Sequence, residues 1–117
     1  MDLDWIKIAG VPNKDKPIVP ENRIASIHIG GKHLYLTQHK GNYFAGEYKC
    51  PHAGGQLTHG WLTEKGEIVC PLHRFCFDLE SGKNTSGEGF HVQIYPIEVR
   101  ENGMFLGLPK KKWWQFW

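Results

Sequence analysis

Four residues stand out by donor chemistry and spacing. Cys50 and His52 form a C-x-H pair inside CPHAGGQL, and after 17 intervening residues Cys70 and His73 form a C-x-x-H pair inside CPLHRFCFD. Residues this close in sequence can both be aimed at one point from a tight turn. Two such turns brought side by side supply two thiolates and two imidazoles, a donor set that suits either zinc or an iron–sulfur centre. The neighbours bear on that choice. Ala53, Gly54 and Gly55 remove bulk beside the first pair and offer backbone N–H groups to acceptor atoms; bridging sulfides take such donors, whereas a bare zinc ion does not. Pro51 and Pro71 each follow a cysteine and stiffen the turn through their fixed φ. Leu57, Trp61, Leu72, Phe75 and Phe77 are expected to shield the site, which matters to a redox potential and little to a redox-inert metal.

Short strands have to carry these turns. WIKIAG (5–10) reads as a first strand, and the Pro-rich segment around NKDKP as loop. IASIHI (24–29) alternates, with Ala25, Ile27 and Ile29 on one face and Ile24, Ser26 and His28 on the other. Gly30-Gly31 then joins it to KHLYLTQ (32–38), and Lys40-Gly41-Asn42 turns the chain into YFAGEY (43–48). The segment 56–69 is expected to form a hairpin that returns the second pair beside the first. IVC (68–70) enters the second box, FDLE (77–80) leaves it, and HVQIYPIEVR (91–100) is extended with an edge, bulge or bend at Pro96. Asn102-Gly103 turns into MFLGL (104–108). No stretch has a capped 3.6-residue period. The fold class is therefore all-β, built of antiparallel hairpins and meanders with the two boxes in connections between strands.

The bulk properties exclude several functions. A chain of 117 residues favours one domain, and 40% hydrophobic with 22% charged residues reads as globular. The formal charge of +2 is too small to argue for nucleic acid. No run of about 18 apolar residues exists to span a bilayer, and Asp2 and Asp4 stand where a secretory signal would be basic, so the expected location is cytoplasmic. Three cysteines in a reducing compartment do not suggest a disulfide framework. Cys76, the spare thiol, reads as a small buried hydrophobe. His28, His33, His39, His59 and His91 have no paired spacing and read as surface or turn residues. Ser86 to Gly89 reads as a turn or as a third loop over the site. The tail KKKWWQFW (110–117) is expected to pack over an open sheet face, with a membrane-interface or partner-docking role as the alternative.

CPHAGGQL followed by CPLHRFCFD resembles the two cluster-binding boxes, C-x-H-x-G and C-x-x-H, of the Rieske 2Fe–2S family. The likeness extends over about residues 5–108: strands into the first box, a hairpin between boxes, FDL with Ser-Gly after the second, and a YP…G…L ending. Within that family the chain is most similar to small soluble ferredoxins, such as the ferredoxin components of ring-hydroxylating oxygenases and small-subunit-like proteins of assimilatory nitrite reductase. The resemblance implies a Rieske-type antiparallel β-sandwich over residues 1–109. A small cluster-binding subdomain would be made by loops at about 50–57 and 70–78, with 110–117 as a tail. It implies a 2Fe–2S cluster with Cys50 and Cys70 on one iron and His52 and His73 on the other, and a one-electron carrier between a reductase and a terminal oxygenase or reductase.

The high-potential branch of the family has an additional cysteine in each box, joined in a disulfide, and Ser and Tyr hydroxyls bonded to cluster sulfur and a ligand cysteine. The corresponding places here are Gly55 and Leu72, and Phe75 and Phe77. Without those donors the resemblance implies a midpoint at the lower end of the Rieske range, about −150 to 0 mV. Arg74 departs from the small residue usual after the histidine. No Gly-rich flavin or nicotinamide fingerprint is present, so the chain is not expected to be an enzyme. The readings from other classes are an iron–sulfur redox sensor and a zinc-stapled β interaction module.

Overall fold

Residues 3–12, 18–50, 55–72, 74–85 and 91–109 are described by the computed structural model. The elements in chain order are β1 (Leu3–Ala9), β2 (Ile24–Ile29), β3 (Lys32–His39), β4 (Asn42–Glu47), a 3-10 turn (Leu57–His59), β5 (Trp61–Leu62), β6 (Glu67–Val69), β7 (Cys76–Asp78), β8 (Ile94–Tyr95), β9 (Ile97–Arg100) and β10 (Gly103–Pro109). Among the described residues there is no α-helix. The fold is all-β with antiparallel ladders, as the alternation and turn chemistry of the sequence require.

The strongest turn signals act as read. Gly30 and Gly31 have φ of 57° and 77°, and Lys40 and Gly41 have 51° and 82°. Positive φ at both central residues is the I′ turn, whose twist matches that of the strands it joins. Lys40 carries a side chain in that left-handed region, and the Glu21 carboxylate holds it there. One carboxylate oxygen accepts from the Lys40 N–H and the other from the Gly41 N–H. Pro96 splits the last extended segment into β8 and β9, because a residue without an N–H cannot continue the ladder.

The chain divides into two compact units, Val19–Ile94 and the pair of terminal segments Met1–Ile18 with Tyr95–Trp117. In the terminal unit the sheet order is β1-β10-β9. Trp5 lies across from Gly107, where an added Cβ would sit 3.2 Å from the indole, and the Arg100 guanidinium stacks on both Trp5 and Phe105. Arg100 also pairs with Glu98 at 3.0 Å. The central unit holds the sheet β2-β3-β4-β8 and the small sheet β5-β6-β7. Its core is Tyr35, Cys50, Leu57, Ile68, Cys70, Phe77, Leu79 and Val92, with Ile24, Phe44, Leu62 and Phe75 packed against it. Tyr35 fits because its cross-strand partner is Gly46; a Cβ there would lie 2.6 Å from the Tyr35 ring.

Candidate metal centre

The two boxes are built alike. The first closes where Lys49 bridges Gln56 and the Cys50 N–H donates to the Gly55 carbonyl at 2.7 Å. The Leu57 N–H donates to the Tyr48 carbonyl at 2.6 Å just below it. The second closes where Val69 pairs with Cys76 and the Cys70 N–H donates to the Phe75 carbonyl at 2.9 Å. In each, a cysteine donates to the carbonyl five residues on, so the segments 50–55 and 70–75, called tips below, are of equal length, start with cysteine and are closed at their ends by the same bond. His52 and His73, the other two candidate ligands, lie outside the described residues. The third loop at Ser86 to Gly89 and the tail 110–117 lie outside them as well.

The tips meet at Gly55. An added Cβ would stand 3.0 Å from the Cys70 Sγ and 2.9 Å from the Leu72 Cδ1, so only glycine fits beside that thiol. Both cysteines are buried in the same apolar cluster, at 1% and 0% exposure, and neither is in a disulfide. Gly55 and Leu72, the places set against the disulfide cysteines of the high-potential branch, therefore face each other. A pair of buried thiols in an apolar surround is a donor set that fits a thiolate-held inorganic centre shielded from water.

The shield is partly different from expectation. Leu57 and Phe77 are fully buried and Phe75 packs against the core. Trp61 and Leu72, at 47% and 59% exposure, face solvent instead. Trp61 lies on β5, an edge strand, and Leu72 lies at the apex of the second tip. Cys76 is half-buried rather than buried, with its thiol towards the Arg74 carbonyl at 3.7 Å.

Two histidine features escape a reading by spacing. His39 is buried within β3 and bonds the Asn22 side chain through Nδ1 at 3.0 Å, so it is not a surface residue. His28 and His33 are directly cross-strand and stack with centroids 4.0 Å apart, and His33 stacks on Tyr48 at 3.7 Å. Ser26 Oγ hydrogen-bonds His33 Nε2. The register implied by the Gly30-Gly31 turn already made His28 and His33 neighbours. Desolvation, and then the charge of His28, hold the His33 pKa below its ordinary value. Burial pushes the Tyr35 phenol well up, and Asp78 adds to the effect.

Residues 10–96 match the family described as the Rieske [2Fe-2S] domain, a span containing both tips. The chain belongs to the Rieske family. The Rieske domain here is 30% identical over 113 residues to the ferredoxin component of the alkene monooxygenase system of Xanthobacter autotrophicus (strain ATCC BAA-1158 / Py2). That match covers 94% of this chain and 88% of the relative. It is 31% identical over 107 residues to the ferredoxin component of the naphthalene 1,2-dioxygenase/salicylate 5-hydroxylase systems of Ralstonia sp., covering 91% and 97%. Its fold superposes with a TM-score of 0.74 and 23% identity on the ferredoxin of carbazole 1,9a-dioxygenase from Nocardioides aromaticivorans IC177, covering 91% and 98%. The cofactor of the Rieske domain is a 2Fe–2S cluster. Among the described residues no helix is long and apolar enough to cross a membrane.

Proposed function

We propose that this Rieske domain is a one-electron carrier of the ferredoxin type, taking electrons from a reductase and delivering them to a terminal oxygenase or reductase. Cys50 and Cys70 would hold the cluster through sulfur and His52 and His73 through ring nitrogen, as the family resemblance implies. The observation that carries this reading is the meeting of the two tips at Gly55, with both thiols buried in one apolar cluster. When bound, the cluster accepts and releases a single electron, with a potential above that of all-cysteine clusters because imidazoles replace two thiolates. The chain's own part is to bind and insulate. Leu57, Phe75 and Phe77 exclude water from the sulfur side. The Cys50 and Cys70 amides are already bonded to the carbonyls of Gly55 and Phe75, which fixes both tips.

The Rieske domain makes and breaks no bonds of a substrate. Residues 1–109 act as one functional domain with 110–117 as a Lys/aromatic appendage. Its place is the cytoplasm, where a reducing medium keeps cysteine thiols out of disulfides. The test is anaerobic purification followed by metal and acid-labile sulfide analysis, visible spectroscopy and redox titration. The expected result is a brown protein with two irons and two sulfides per chain that is reduced reversibly by one electron. A colourless protein holding one zinc, or one with no metal, overturns the reading. A cluster that is reduced but passes no electron to any oxygenase or reductase favours a sensor instead.

A further inference from the structure

The second tip carries a cation for which cluster binding has no use. Arg74 follows His73 in sequence, and its side chain is exposed, with no hydrogen bond or ion pair among the described residues. Its φ is 56°, in the left-handed region that costs any residue with a Cβ and costs glycine little. The backbone is pinned there by the Arg74 N–H, which donates to the Cys70 carbonyl at 2.9 Å. A position shaped for glycine is thus occupied by an arginine turned to solvent. Strain held beside a functional centre points to a role for the side chain.

The surroundings say what that side chain meets. Leu72, two residues earlier, is 59% exposed. Lys49 precedes the first tip, exposed, with Nζ 5.8 Å from the Tyr48 ring centroid. Residues 48–63 and 68–77 contain Lys49 and Arg74 and no Asp or Glu. The carboxylates of this sheet lie at its other end: the rung Glu67↔Asp78 is distal to the tip and the rung Val69↔Cys76 adjoins it. Among the described residues the tip end is therefore cationic with an apolar centre.

We propose that Arg74, flanked by Leu72, is the docking residue for a redox partner that presents surface carboxylates, and that its charge selects such a partner. This rests on the electron-carrier reading. Arginine suits the task because its planar fork meets a carboxylate with two parallel hydrogen bonds, and a charge at the rim of an interface acts chiefly on the rate of encounter.

The test uses the full cluster-loaded chain and two small oxidants of opposite charge, the hexacyanoferrate(III) anion and the tris(phenanthroline)cobalt(III) cation. Each takes one electron from the reduced protein. At low salt, Arg74→Glu is expected to slow the anion by about 5–10-fold and to speed the cation. The difference should vanish near 1 M salt, where screening shortens to about 3 Å. Arg74→Lys should keep most of the wild-type preference. Arg74→Gly should lose it and, by releasing the strain, raise the melting temperature by about 2–4 °C. Equal effects on both oxidants, as a shifted midpoint potential would give, or no effect on either, overturns the proposal. So does an Arg74→Gly protein that melts lower, which would make the arginine a structural support of the tip. A wild-type chain that accepts no electron fails at the first step and removes the carrier reading itself.

Discussion

At position 55 an added methyl would meet the Cys70 Sγ at 3.0 Å and the Leu72 Cδ1 at 2.9 Å. Leu72 is exposed and can rotate away, but the thiol is enclosed and cannot. Gly55→Ala should therefore lower cluster content more than it lowers stability, a result read as iron per chain against the melting temperature of the same sample. Cys50→Ser and Cys70→Ser should each abolish the visible bands outright. Phe75 and Phe77 have no hydroxyl to offer, so reduced charge finds fewer donors and the midpoint should fall at about −150 to 0 mV. On the proposed ligation, imidazoles of His52 and His73 would be harder to deprotonate on reduction, so the midpoint should fall with pH at alkaline values. A titration flat to high pH would count against histidine ligation. The two tips with their cysteines and the family they belong to were legible from residue type and spacing, whereas His52 and His73 lie outside the described residues. That Gly55 is a wall of the pocket, and that Arg74 stands in a left-handed turn, depends on which tip faces which, and local sequence does not record that.

The element scale has its own test in the β2–β3 hairpin. His33 is held below its ordinary 6.5 by desolvation and by His28. The unfolded chain therefore binds more protons than the folded one just below that value. The contribution of neutral His33 is complete above about pH 6.5 and is lost as pH falls through the lowered folded-state value. His28→Gln removes the second cause, and the melting temperature should then drop less between pH 7.5 and pH 5 than in the wild type. Ser26, Tyr48 and Lys49 surround the same stack and stay unchanged in that comparison. On the neighbouring rung, Gly46→Ala would drive a Cβ into the buried Tyr35 ring, costing about 1–3 kcal/mol by overpacking. Strand positions were readable because alternation and two-residue turns are local signals; β2 runs over the residues at which the alternation begins and ends. His39 was misread for the same reason. Its ring is buried and bonds Asn22, 17 residues away, and no periodicity reports such a partner.

Over the whole molecule, folding and cofactor binding should separate. Most of the ladder pairing lies in the strands away from the tips, whereas each tip is held by only a few backbone bonds among the described residues, one of them from its cysteine amide. Removing iron with a chelator should accelerate hydrogen exchange at the Cys50 and Cys70 amides while leaving Leu34 and Leu36 in β3 protected. Uniform acceleration would show instead that the cluster holds the entire fold. The pairing of β1 with β10 joins the two ends of the chain, and this was not visible in the sequence because strand periodicity carries no information about which distant strand lies alongside.

The shared closure of the tips has one more consequence. Each segment is six residues long, begins Cys-Pro, and is closed by the same bond from its cysteine amide, while the imidazole occupies the third place in one and the fourth in the other. A mounting of this kind sets donor placement by permuting letters within a fixed length. The imidazole can therefore change place within a segment with no strand lengthened or shifted, provided position 55 stays glycine.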